Sequence, residues 1–118
     1  MVQNEKDLLL KDLCYRLPYG VKAQVYNHWR DDIQDETITI ENLHQLIETF
    51  SIKDIKPYLF PLSSMTEDQK SQYSFFLTRI IDGYDASLLT DWLNKNHFDY
   101  RGLIPMGLAN DATGKNIY

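Results

Sequence analysis

Three histidines are the residues best suited to chemistry in this chain, and each has acids close to it in sequence. His97, Asp99 and Arg101 alternate in HFDYR. On an extended strand all three project to one side, with Phe98 and Tyr100 on the other. Such a His–Asp pair can orient a general base if a Ser or Cys nucleophile comes near in space. Ser63, Ser64 and Ser74 lack any motif context that would mark one of them as that nucleophile. The plainer expectation is that Asp99 and Arg101 pair with each other or fasten this segment to the body.

His44 lies three residues after Glu41 and four before Glu48. Both acids reach it on a helix, whereas on a strand the three cannot share a face. His28 is followed closely by Asp31 and Asp32. Neither group has the Cys/His spacing of a metal centre, and both read more simply as solvated side chains. Cys14 is the single cysteine. It cannot form an internal disulfide, and it falls among apolar helix positions, where a buried thiol acts as a small hydrophobe. Gly102, Gly107 and Gly114 match no phosphate-loop spacing. The sequence therefore leads to the expectation of no catalytic, cofactor or metal site.

The stretch from Trp92 to Tyr118 is more informative. It is rich in aromatic and apolar residues and keeps neither a helical nor a strand period for long. A segment with Phe98, Tyr100, Leu103, Ile104, Met106 and Leu108 must bury them on its own domain or on something else. Trp92, Phe98, Tyr100, Arg101 and Leu103 are the expected interaction surface, since aromatic and Arg side chains dominate binding hot spots. KPYLFPL (56–62) shares this texture, and the two stretches form one patch or groove if they meet.

The elements that would position these residues follow from local pattern. Residues 4–17 read as an amphipathic helix capped by Asn4, with Leu9, Leu10, Leu13, Cys14 and Leu17 inward; Pro18 and Gly20 end it. Residues 21–29 alternate as a half-buried strand with Val21, Ala23, Val25, Asn27 and Trp29 on one face. A charged turn (30–36) leads to a strand at 37–41 carrying Ile38 and Ile40. Residues 42–50 fit a helix through Leu43, Leu46, Ile47 and Phe50, with Asn42 or Thr39 as cap, but a short strand is preferred. Pro57 and Pro61 mark 56–62 as an edge strand or connector. Thr66-Glu-Asp-Gln69 is a capping box opening the clearest helix, with Tyr73, Phe76, Leu77, Ile80 and Ile81 as its stripe. Asp85 caps a last helix, with Leu88, Leu89, Trp92 and Leu93 facing inward. The class is a single α+β domain over residues 1–118. Its parts are an N-terminal helix, a small antiparallel sheet of three or four strands, two C-terminal helices and a docked irregular tail.

Composition limits the partners. The 118 residues are 43% apolar and 25% charged, as in globular domains. Net charge is −5, and the acids concentrate in residues 1–93, which hold nine Lys/Arg against fifteen Asp/Glu. With no basic cluster to displace counterions, nucleic-acid binding is disfavoured. No basic n-region with an apolar h-region opens the chain, and no window resembles a membrane helix. The expected location is the cytoplasm, and the expected partner is another protein or a second copy.

KDLCYRLPYGVK (11–22), KPYLFPLSSMTEDQ (56–69) and DWLNKNHFDYRGLIPMGLA (91–109) resemble a family of short proteins of gut-bacterial genomes, their prophages and other mobile elements. That family has no established activity, cofactor or catalytic residues to carry over. The resemblance implies a mobile-element accessory protein. The leading expectation is a non-enzymatic interaction or self-association module. A nucleic-acid-associated factor and an enzyme using His97 with Asp99 are the alternatives.

Overall fold

The computed structural model describes residues 2–83 and 85–118. These described residues form an α+β fold of four α-helices and a mixed five-stranded sheet. The elements are α1 (Gln3–Arg16), β1 (Val21–Asn27), β2 (Asp32–Ile38), α2 (Leu43–Thr49), β3 (Ile55–Pro61), α3 (Glu67–Ile81), α4 (Ser87–Lys95), β4 (Phe98–Asp99) and β5 (Asn110–Asp111).

Helix α1 starts a residue earlier than expected, with Val2 before it in place of an Asn4 cap. Its buried residues are Leu9, Asp12, Leu13 and Arg16, while Leu10 and Cys14 are exposed. The inward stripe is thus rotated from the apolar one expected, and it carries an ion pair into the core. Strand β1 follows the alternation expected, with Val21, Ala23 and Val25 fully buried. It stops at Asn27, two residues short of Trp29. The Asn27 side-chain oxygen accepts from the Trp29 and Arg30 amides at 3.0 and 3.2 Å and closes the turn, leaving Trp29 in solvent. Charged residues 32–36, expected as turn, then pair in register from Asn27↔Asp32 to Val21↔Ile38. Only Ile38 of β2 is buried, which suits a charged edge strand.

Ile40 lies beyond the strand and is exposed. Asn42 stops β2 by accepting from the Thr39 amide and donating to the Thr37 carbonyl, both at 2.8 Å. The segment after it is helix α2, not the strand preferred on sequence. The i, i+3 pair Leu43 and Leu46 takes it into the core, and the helical period wins.

Strand β3 is the centre of the sheet despite its prolines, correcting the edge assignment. It pairs antiparallel with β1 and parallel with β4 and β5, so the antiparallel description holds only for β1 to β3. Successive residues of a strand face opposite edges. Tyr58 and Phe60 use one edge, through bonds to Tyr118 and His97; Leu59 uses the other, accepting from Ala112. Pro57 falls in the same parity as Leu59, one residue before β5 pairing begins, so its missing N–H removes no ladder bond to β1.

The central core joins Leu9 and Leu13 of α1 to the inward faces of β1 and β3, with Leu103 and Leu108 of the tail. A second, aromatic cluster of Met65, Leu93 and Phe98 is lined by Phe60, Tyr73, Leu89, Trp92 and Tyr100. Helix α3 opens with the expected capping box. The Gln69 amide donates to Thr66 Oγ1 at 3.2 Å, and the Thr66 amide donates to Gln69 Oε1 at 2.9 Å. Helix α4 begins at Ser87, whose amide is held by Asp85 at 2.9 Å. Its principal packing on the main body is against β4 and α1. The molecule is elongated, 52 × 27 × 26 Å, with a radius of gyration of 15.2 Å. A compact chain of this length would have about 13–14 Å. No described helix is long and apolar enough to cross a membrane.

Candidate functional site

Two features stand apart from the general packing: a charged node under the tail, and the pocket beside it. The node is built on α1. Asp12 and Arg16 are one helical turn apart and fully buried, with Arg16 Nε–H donating to Asp12 Oδ2 at 2.8 Å. Arg16 Nη2 donates to Asp12 Oδ1 at 3.1 Å and to the Phe98 carbonyl at 2.6 Å. Arg101 Nη1 donates to Asp12 Oδ1 at 2.7 Å. Tyr100 lies under both guanidinium groups, with their carbons 5.5 and 4.4 Å from its ring centroid. The node locks β4 and the tail onto α1.

Asp99 has a separate task. Its two carboxylate oxygens accept from the amides of Leu103 and Ile104 at 2.8 and 2.9 Å. Asp99 and Arg101 therefore fasten the tail through different partners, and neither is bonded to His97. A His97–Asp99 dyad is not formed.

His97 follows the last turn of α4 with φ of 61°, a left-handed position that Gly or Asn usually fills. Its ring stacks on Tyr118 with centroids 3.6 Å apart and 12° between planes. Only 7% of the residue is exposed, and Nδ1 is buried without a partner. Burial, then the nearby charges of Arg16 and Lys22, push its pKa down to about 4. It is neutral near pH 7. Tyr118 reaches past it into the sheet. Its hydroxyl accepts from the Lys22 amide at 2.8 Å and donates to the Tyr58 carbonyl at 2.8 Å. It thereby replaces a direct bond between β1 and β3 just where the two strands separate. Burial of this hydroxyl pushes its pKa up to about 12.

A cavity of about 400 Å³ opens against the His97–Tyr118 stack, lined also by Phe60, Ser64, Thr66, Gln69, Lys95, Asn96 and Phe98. KPYLFPL and the tail do meet here, with Phe60 and Phe98 rings 6.4 Å apart. Ser64 lies at the cavity, but its hydroxyl donates to the Pro61 carbonyl at 2.7 Å and is not bonded to His97.

The remaining candidates separate. His28 pairs with Asp54 at 2.9 Å, in place of Asp31 or Asp32. His44 pairs with Glu48 alone at 2.9 Å, on an exposed face. Among the described residues no group of three ligating side chains could hold a metal. Of the expected interaction surface, Phe98 and Leu103 are core residues, 2% and 0% exposed, because the tail spends its apolar side chains on its own domain. Trp92, Tyr100 and Arg101 are half-buried. Asp12 and Arg16 were not singled out on sequence; their i, i+4 spacing is that of an ordinary surface pair.

The apolar surface that remains exposed lies elsewhere. None of the fifteen residues of α3 is buried. Its main partner is α4, through contacts such as Phe76 on Trp92, whose indole N–H donates to Gln72 at 2.8 Å. Phe75 is 55% exposed, Ile81 84% and Leu88 of α4 50%.

These features define an α+β domain with a tail-locked aromatic pocket and an under-covered helical arm. Comparison with known protein families, curated proteins and solved structures finds no match to this chain.

Proposed function

We propose that the protein is a non-enzymatic self-association module in which two copies pair through α3. The observation that carries this is the mismatch between the apolar arc of α3 and its cover. At about 100° per residue, Tyr73, Phe75, Phe76, Leu77, Ile80 and Ile81 spend roughly 240° of the circumference. A helix with one buried face needs an apolar stripe of about 100° or a little more. Helix α4 covers the middle of the arc, and Phe75 on one flank and Ile81 on the other remain in water.

A second copy fits this face. The first turn of α3 carries Glu67 and Asp68, and its last turn carries Arg79. Antiparallel pairing opposes the two helix dipoles. With large side chains offering roughly 150–250 Å² each, the exposed parts of Phe75, Leu77, Ile81 and Leu88 amount to about 400 Å² per copy. That equals the largest apolar patch of a typical monomer and suits a small, concentration-dependent dimer. The resemblance to mobile-element proteins supports an accessory role of this kind.

Sedimentation equilibrium over a range of concentrations tests the reading. The wild type should approach a dimer. The Leu77→Glu/Ile81→Glu variant should stay monomeric with an unchanged far-UV spectrum, since both positions are exposed. A wild-type monomer throughout the range would overturn the proposal.

A further inference from the structure

We propose that the cavity against His97 and Tyr118 binds a small organic anion, with a carboxylate or phosphoryl head and a planar or apolar body. The argument begins with which polar groups at the wall are already committed. The capping box of α3 uses Thr66 Oγ1 to accept from the Gln69 amide, and Gln69 Oε1 to accept from the Thr66 amide. The Thr66 hydroxyl proton and the Gln69 side-chain N–H groups are left to donate. Lys95 brings the single formal charge among the lining residues. Asn96 Oδ1 and Ser64 Oγ are left to accept, since the Asn96 amide donates to the Trp92 carbonyl and the Ser64 proton to the Pro61 carbonyl. With Lys95 the free donors still give the lining side chains a positive bias, although the protein as a whole carries −5. The Thr66 and Gln69 donors beside the Lys95 cation suit an anion.

His97 supplies the independent sign that a ligand is accommodated. It is more than nine-tenths buried, lines the cavity and has a ring nitrogen with no partner. Unpaired buried polar atoms are costly and are retained at sites of function more readily than in plain core. The groups that face this ring are Tyr118, stacked on it, and the cations Arg16 and Lys22, which favour its neutral form. Phe60, Phe98 and Tyr118 form the apolar part of the wall and suit a planar body. The volume, about 400 Å³, falls in the range of small-molecule sites. The site lies at the first turn of α3, away from Ile81, and does not depend on self-association.

Titration of the full-length protein, followed by NMR at the His97 ring and Gln69 side chain, tests this with four probes. Benzoate and phenyl phosphate carry the two heads on one body, inorganic phosphate is a head alone, and benzyl alcohol is a neutral body. Saturable shifts are expected with benzoate or phenyl phosphate, and the tighter of the two identifies the head. Lys95→Glu, at an exposed position, should weaken that probe by about tenfold or more, the loss of one charge-assisted hydrogen bond. Lys53→Glu, exposed and remote from the lining, should leave it unchanged. Absence of saturable shifts with both aromatic anions would overturn the proposal. So would equal binding of benzyl alcohol, or indifference to Lys95→Glu.

Discussion

Protonation of His97 should cost the fold a large part of its stability in the mildly acid range. The ring is packed against Tyr118 and feels Arg16 and Lys22, so a proton on it meets both desolvation and repulsion. Its pKa is about 4 in the native state against an ordinary 6.5. At 1.36 kcal/mol per unit, the difference is worth about 3 kcal/mol. The sign follows from proton binding. Between pH 6.5 and about 4 the unfolded chain takes up the proton and the native state does not. Stability is full above that window and falls as pH drops through it; below it the native ring also protonates and the loss levels off. A domain of this size has a total of about 5–15 kcal/mol, so the loss is a large fraction. His97→Asn is the comparator, since Asn tolerates the left-handed backbone and does not titrate. Urea unfolding followed by circular dichroism from about pH 7 to about pH 4 should show wild type losing about 3 kcal/mol more than the variant. An NMR titration of the His97 ring gives the native pKa directly. A value at or above 6.5, or parallel loss in both proteins, would refute a dry and positive environment for this ring.

Three other substitutions probe the tail. Tyr118→Phe removes the hydroxyl between Lys22 and Tyr58 and should cost about 1–3 kcal/mol in urea unfolding, the penalty of unpaired backbone groups. In the wild type, raising pH toward 12 should ionise Tyr118 and loosen the β1–β3 end, visible as a joint change in tyrosinate absorbance and far-UV signal. Asp12→Asn leaves Arg16 and Arg101 facing each other without a carboxylate and should lower stability by about 3–5 kcal/mol. Asp99→Ala frees the Leu103 and Ile104 amides; it should cost about 2 kcal/mol and raise amide exchange in residues 103–108 specifically.

Where the controlling interaction spans a few residues, this chain announces its structure. The Thr66–Gln69 capping box and the Val21-Ala23-Val25 alternation are both local, whereas Leu88, in the expected inward stripe of α4, is 50% exposed. The capping box and the alternation are set by periodicity or by a side chain reaching its own backbone. The α+β class follows from the order of such elements. Periodicity also misleads where two patterns compete. Cys14 and Leu10 extend the leucine stripe of α1, yet the helix turns Asp12 and Arg16 inward. Only the tertiary structure decides this, because the pair's other partners are the Phe98 carbonyl and Arg101, 82 residues from Arg16 and 89 from Asp12. The same holds for β3, central in spite of Pro57 and Pro61 because the missing N–H of Pro57 takes no bond from β1. It holds again for the site. Sequence places His97 beside Asp99, but the fold gives Asp99 to two tail amides and sets His97 against Tyr118. A local pattern states which contacts a segment is able to make; burial and the cost of unpaired charge, set by distant residues, select the ones it keeps.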